Sequence, residues 1–179
     1  NCDESGITIG RNGEAASHPM SGINVFNNTF YDCGTSTWGG GISIDNPDIQ
    51  SLTVRNNIVS QNYFFQINQE PDVIAANVTV EYNLIHGYRN YGDEIKGNNP
   101  VEGDPLFTNP SGADFTLQSG SSAIDAATST GAPNTDYAGT ARPQGSGYDI
   151  GAYEYASGTT NPAIALSPTA ISLVSVYGS

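Results

Sequence analysis

The sequence predicts an all-β fold, a short right-handed parallel β-helix of about three coils with an irregular C-terminal cap. Three observations support this prediction. A segment of similar pattern recurs three times at intervals of 29 and 26 residues, short strands lie between its copies, and an asparagine occupies one position of every copy. A period of this length is typical of solenoids, in which one chain winds through stacked coils.

The repeated segment spans residues 23–30, 52–59 and 78–85. Each copy opens with two apolar residues separated by one polar residue, as in Ile23-Asn-Val25, and this alternation indicates a short strand with one face turned inward. A second series of strands is predicted at residues 7–9, 41–44 and 64–67. We therefore expect at least two strands in each coil, separated by polar turns.

Asn28, Asn57 and Asn83 occupy the same position of the repeat, directly after a strand. At this position a side-chain amide can hydrogen bond to its counterparts in the coils above and below. We expect an internal asparagine ladder. The alternative is that asparagine is simply common in turns.

Cys2 and Cys33 fall at a similar phase of the repeat, one coil apart. Neighbouring strands are separated by about 4.8 Å, which lies within the Cα separations that a disulfide allows. A disulfide between them is one prediction. Two stacked free thiols are the alternative.

The composition restricts the partners of the protein. Of its 179 residues, 37% are hydrophobic, and 18 acidic residues against five basic ones give a net charge of −13. Such a charge disfavours nucleic acid and anionic membranes, and it repels polyuronates unless a metal ion bridges the charges. A neutral glycan is the polymer least affected. Few charges and many Gly, Asn, Ser and Thr residues favour a secreted or cell-surface protein, and no apolar run reaches transmembrane length.

Five short motifs follow the repeats in a fixed order. They begin with Gly103-Asp-Pro-Leu-Phe, Asp114-Phe-Thr-Leu and Gly120-Ser-Ser-Ala-Ile-Asp, and they end with Arg142-Pro and Asp149-Ile-Gly-Ala-Tyr-Glu. Together they resemble the closing segment of secreted bacterial β-helix proteins, with Ser122 in place of the usual proline. The resemblance implies a cap, which we expect to cover the open strand edges of the last coil.

The predicted organisation has four parts. Residues 1–102 form the coils, residues 103–156 the cap and residues 157–162 a linker, and residues 163–179 begin an immunoglobulin-like module or form a tail. We expect an excised module of a longer polypeptide, with covalently linked neighbouring modules, and we expect it to be a monomer.

No catalytic residue is predicted. A lyase needs a basic residue, but Lys96 lies in a polar loop, Arg55 lacks an acidic cluster in phase, and His18 and His86 are expected in loops without metal-ligand spacing. A glycoside hydrolase needs two carboxylates, and Asp45 is flanked only by amides. No cofactor is required. The alternative is a bound calcium ion, for which three aspartates are weak candidate ligands, two of them turn residues beside prolines. These candidates are Asp45, Asp48 and Asp72.

The remaining candidates suit sugar binding, because sugar rings stack on aromatic side chains and their hydroxyls pair with amides and carboxylates. The predicted aromatic strip is Trp38, Tyr63 and Phe64, extended by Tyr88 or Tyr91. Its predicted polar border is Asp45, Gln66 and Asn68. This border assumes that Ile42 aligns with Phe65 and Ile44 with Ile67, which places Asn68 over Asp45. The alternative is that these rings only cover loops.

The size and architecture resemble β-helical modules that bind xylan. This resemblance implies a non-catalytic carbohydrate-binding module of a multi-modular enzyme, with a neutral plant cell-wall polysaccharide or oligosaccharide, xylan first, as partner. The alternative is the C-terminal fragment of a β-helix polysaccharide lyase or glycoside hydrolase whose active face lies upstream of Asn1. A structural cell-surface spacer is the third hypothesis.

Overall fold

The computed structural model describes residues 2, 4–10, 19–35 and 38–156. The described chain is all-β, with two single-turn 3-10 helices at Ala75–Asn77 and Pro110–Gly112. The strands are β1 (Ile7–Gly10), β2 (Ile23–Phe26), β3 (Thr29–Tyr31), β4 (Ile42–Asp45), β5 (Leu52–Arg55), β6 (Ile58–Ser60), β7 (Ile67–Gln69), β8 (Val78–Glu81), β9 (Leu84–His86), β10 (Val101–Glu102), β11 (Phe107–Asn109) and β12 (Asp114–Leu117). The predicted linker and following module lie outside the described residues, as does His18.

The strands of residues 7–102 form three parallel sheets. The first sheet has the order β1-β4-β7, the second β2-β5-β8 and the third β10-β9-β6-β3. Each coil thus contributes one strand to every sheet, and the strands of one coil pair with those of the next. This arrangement is a parallel β-solenoid. It has one strand more per coil than the minimum predicted, because each repeated segment contains a turn between two strands.

The turn between the second and third sheets explains the paired asparagines of the repeat. Asn27 and Asn56 adopt left-handed backbone conformations with φ of 52° and 57°, which asparagine tolerates better than most residues. The next residue, Asn28 or Asn57, belongs to the row expected to form a ladder. Asn57 Oδ1 accepts from the backbone N–H of Asn28 at 2.9 Å, and Asn83 Oδ1 accepts from that of Asn57 at 2.9 Å. The row therefore links three successive coils.

Apolar side chains fill the interior of the solenoid. Ile42, Ile44, Leu52, Val54 and Ile67 are each at most 1% exposed and belong to one cluster. Successive residues of a strand point to opposite faces, so the alternation read from the sequence gives the inward-facing positions of these strands.

The predicted register of the first sheet was wrong by two residues. Ile42 pairs with Ile67 and Ser43 with Asn68, rather than Ile42 with Phe65. The strand begins at Ile67, and Phe65 lies in the preceding turn, where it is buried at 4% exposure. Both Phe65 and Ile67 are buried, so a pattern of period two fits either alignment.

The segment from residue 103 packs against the outer face of the third sheet, not over strand edges as expected. Ile58 and Leu84 point outward from that sheet and form a second apolar cluster with residues of the segment. The partners from the segment are Phe107, Leu117, Ala123 and Ile150. The segment therefore seals the side of the solenoid, because the outer face of the third sheet is as apolar as its inner face.

Polar contacts fix the segment in place. Asn56 accepts from the backbone N–H of Thr128 at 3.1 Å and donates to the Thr128 carbonyl at 2.8 Å. Inside the segment, Arg142 and Glu154 form an ion pair whose side chains are 1% and 0% exposed. Within the part of the chain that the structure describes, no helix is long and apolar enough to cross a membrane.

Candidate functional site

Trp38, Tyr63 and Phe64 come together at the turn that leads into the first sheet, and we call these three rings the aromatic surface. The ring centroids of Trp38 and Phe64 are 6.1 Å apart, and those of Tyr63 and Phe64 are 5.1 Å apart. Trp38 is 53% exposed and Tyr63 50%. The sequence prediction brought these three residues together, although it used the wrong register.

Phe65 packs against Trp38 of the aromatic surface, a contact that the sequence prediction missed. Its ring meets that of Trp38 edge-on, at a centroid distance of 5.7 Å, and is only 4% exposed. The signal was present in the sequence. Three consecutive aromatic residues, 63–65, must place at least one ring on the buried face of an extended chain.

Gly40 and Gly41, which directly precede β4, allow neighbouring coils to approach closely. A Cβ on Gly40 would lie 2.3 Å from the Phe65 carbonyl oxygen, and one on Gly41 would lie 2.5 Å from that of Gln66. Backbone hydrogen bonds cross the same contact, with Phe64 N–H donating to the Gly39 carbonyl at 3.0 Å. The glycines therefore allow the backbone beside Trp38 and Phe64 to stack tightly.

The predicted polar border is not formed. Gln66 is fully buried, donates from its backbone N–H to Glu94 Oε1 at 2.7 Å and accepts from Asn62 Nδ2 at 2.9 Å. Asn68 is 7% exposed and donates to Glu70 Oε1 at 2.8 Å. Both amides are part of the internal hydrogen bonding of the coils and do not face a ligand at the surface.

Asp45 is exposed but stands apart from the aromatic surface. It ends β4, whereas Trp38 precedes that strand. Three residue steps of about 3.3 Å separate the two ends of β4 by about 10 Å. Continuing the register places Glu70 beside Asp45, since Glu70 N–H donates to the Ile44 carbonyl at 2.9 Å. The expected neighbour Asn68 lies beside Ser43 instead.

Tyr88 and Tyr91 differ from each other in environment. Tyr88 is partly buried. Its hydroxyl donates to Asn90 Oδ1 at 3.0 Å, and Lys96 Nζ lies 4.4 Å from the centroid of its ring. Tyr91 is 55% exposed. Ring contacts between either tyrosine and the aromatic surface are not among those found in the described residues.

The basic residues considered for catalysis are engaged in ion pairs. Arg55 Nε donates to Glu81 Oε1 at 2.8 Å, and Lys96 Nζ donates to Glu102 Oε2 at 2.7 Å. Glu81 lies in register with Arg55, one coil further along the stack. His86 was expected in a loop, but it is the last residue of β9.

The acidic calcium candidates do not form a group. Among residues 2, 4–10, 19–35 and 38–156, no three His, Cys, Asp or Glu side chains come together as they would around a metal ion. Asp48 is held in a turn in which its backbone N–H donates to Asn46 Oδ1 at 2.9 Å. Asp72 is exposed.

Cys2 and Cys33 are neighbours in adjacent coils and are not joined by a disulfide. The Cys2 carbonyl accepts from the Gly34 N–H at 2.9 Å. Cys33 is buried, and burial together with the Cys2 thiol raises the pKa of Cys33 to about 12. The thiol of Cys33 is therefore protonated and unreactive near neutral pH.

In chemical terms, the aromatic surface offers exposed ring faces for stacking. No protein-family model matches this chain, and searches of curated proteins and of solved structures likewise find no match.

Proposed function

We propose that this protein is a non-catalytic carbohydrate-binding module that holds a neutral plant cell-wall glycan, with xylan as the first candidate, on the aromatic surface. The observation that carries the proposal is the exposure of Trp38 and Tyr63, at 53% and 50%, beside Phe64. Exposed aromatic clusters on a rigid support are typical binding sites, and their faces suit the C–H faces of sugar rings.

The charge distribution supports a neutral ligand. Three of the five basic residues are paired with glutamates, namely Arg55 with Glu81, Lys96 with Glu102 and Arg142 with Glu154. Against a net charge of −13, these pairs leave at most two basic residues, Arg11 and Arg89, to attract an anionic polymer. A polyuronate would be repelled, whereas xylan backbone sugars carry no charge.

Two further features belong to the proposal. We infer that the coils wind in the right-handed sense, because a parallel strand, crossover and parallel strand in one sheet is right-handed in about 98% of known cases. We also place the module outside the cell, as one part of a multi-modular polysaccharide-degrading enzyme. The low content of charged residues, 13%, supports that location.

Affinity electrophoresis tests the proposal. The full chain is run through gels containing xylan, mixed-linkage glucan, mannan, pectin or alginate, beside Trp38→Ala. We expect retardation by a neutral glycan and an affinity at least about tenfold lower in the variant, because a central aromatic residue dominates such contacts. Tyr137→Ala is the matched control, since Tyr137 is 81% exposed in the C-terminal segment.

The result has three informative alternatives. Equal retardation of Trp38→Ala and the unaltered chain would exclude the aromatic surface as the binding site. Retardation by pectin or alginate alone would contradict the electrostatic argument. Release of reducing sugars or unsaturated products would instead favour a lyase or hydrolase.

A further inference from the structure

A cleft of about 360 Å³ lies between the solenoid and the C-terminal segment, on residues outside the aromatic surface. Its solenoid side is formed by Tyr31, Ser60 and His86, which are the last residues of β3, β6 and β9 and lie in register. Its other side is formed by Asp104–Phe107 and Gln118. We call it the junction cleft. Its volume is at the lower end of the range of small-ligand sites, roughly 300 to 1,000 Å³.

Hydrogen-bonding groups line both sides of the junction cleft. Ser60 is fully buried, and its Oγ lies 3.2 Å from His86 Nδ1. Gln61 Nε2 lies 3.3 Å from His86 Nε2 and 3.4 Å from His86 Nδ1, so the amide lies against the imidazole. Asp104 Oδ1 accepts from the Leu106 N–H at 2.9 Å, which leaves Oδ2 to accept from a ligand hydroxyl.

The junction cleft also has an apolar wall, which includes a strained residue. Leu106 is 37% exposed and has φ of 50°, a left-handed conformation that is unusual for leucine. Such a conformation costs of order 1 kcal/mol and recurs at ligand sites. Here it places an apolar side chain in the wall of the cleft, near Pro105 and the ring of Tyr31.

We propose that the junction cleft is a second binding site, which takes one or two residues of a neutral oligosaccharide. A ligand there must have an apolar face for Leu106 and Tyr31 and hydroxyls for Asp104 and Gln61. Among the residues that the structure describes, no Lys or Arg lines the cleft, so it offers neither of these cations to a phosphate or a uronate. The sugar class rests on the proposed function, but the site itself stands on different residues.

The test is an NMR titration of the full chain with xylotriose and, in parallel, with cellotriose. We expect one of the two sugars to shift the His86 ring signals of the unaltered chain. The same sugar should shift them equally in Trp38→Ala. Leu106→Asn should weaken this effect about tenfold, because it removes the apolar wall. Asparagine tolerates the left-handed conformation, so this variant is expected to keep its fold, as thermal unfolding will check.

The outcomes separate the two proposals. Shifts of His86 without shifts of the Trp38 indole support the junction cleft and contradict the aromatic surface. Shifts of the Trp38 indole while His86 stays unchanged at millimolar sugar overturn the junction cleft and leave the aromatic surface standing. Equal affinity of Leu106→Asn and the unaltered chain also overturns it.

Discussion

The coils and the C-terminal segment are stabilised in different ways. The strands between Ile7 and Glu102 pair backbone to backbone in three parallel sheets around an apolar interior. Residues 103–156 have one antiparallel strand pair, β11 with β12, and rely on buried carboxylates that accept backbone N–H groups. Glu154, for example, accepts from Asp149 N–H at 2.9 Å and from Gln144 N–H at 2.9 Å. A repeated pattern specifies the coils, whereas individual polar residues specify the segment.

The largest expected effect comes from breaking the buried ion pair of the segment. Arg142→Met leaves the buried Glu154 carboxyl without its cationic partner, next to Asp149, whose pKa is already raised, mainly by burial. We expect a loss of about 3 to 5 kcal/mol in the free energy of unfolding. Hydrogen exchange should show the loss mainly in residues 103–156.

The matched control is Lys96→Met, because Lys96 and Glu102 form an exposed ion pair. Pairs of this kind contribute about 1 kcal/mol or less. If Arg142→Met lost as much exchange protection in the coil strands as in residues 103–156, the coils and the segment would unfold as one unit. That result would contradict the view that the two regions are stabilised separately.

A smaller effect is expected from interrupting the ladder within the coils. Asn57 is fully buried, and Asn57→Ala removes the acceptor for Asn28 N–H and the donor to the Val25 carbonyl. We expect about 2 to 4 kcal/mol less stability in urea unfolding, because buried backbone groups lose their partners. Asn28→Ala, at the exposed end of the row, should lose clearly less. Equal losses would argue against a ladder that depends on burial.

The smallest effect is a difference in pH dependence between the two regions. The pKa of Cys33 is about 12 in the folded chain, against 9.0 for an unperturbed thiol. Because the folded pKa is the higher one, its contribution to stability is present below pH 9 and lost between pH 9 and about 12. We expect about 1 kcal/mol less stability at pH 10 than at pH 8.

Urea unfolding under reducing conditions measures this effect. Cys33→Ala should lack that part of the alkaline loss, and the difference between the two proteins isolates the thiol from tyrosines and lysines. An identical pH dependence would contradict the raised pKa. In the segment, Asp149 acts in the same sense but at lower pH, because its pKa is also raised in the folded chain: its contribution to stability is present below its unperturbed pKa of 3.8 and is lost as the pH rises through the folded pKa.

The repeat made the coils predictable, since apolar alternation marks the inward residues and asparagine marks the turn. It did not fix the register of β7, because Phe65 and Ile67 are both buried apolar residues two positions apart. The predicted polar border depended on that register and is not formed. An amide such as Gln66 has the same sequence signature whether it contacts solvent or, as here, Asn62 and Glu94 in the interior.

The position of the C-terminal segment was missed although a signal exists. Ile58-Val59 and Leu84-Ile85 are adjacent apolar pairs, so one residue of each pair must point outward from its strand. An apolar outer face needs a cover, and the segment provides it. The junction cleft was not predictable, because it depends on how two distant stretches of chain pack against each other.

The ladder also constrains how proteins of this architecture change in length. Asn28 and Asn57 each donate the backbone N–H to the asparagine side chain of the next coil, which follows after 29 and 26 residues, respectively. A duplicated coil would therefore meet identical partners on both sides. Length is expected to vary in whole coils, and insertions of other sizes are expected to loop out of the stack.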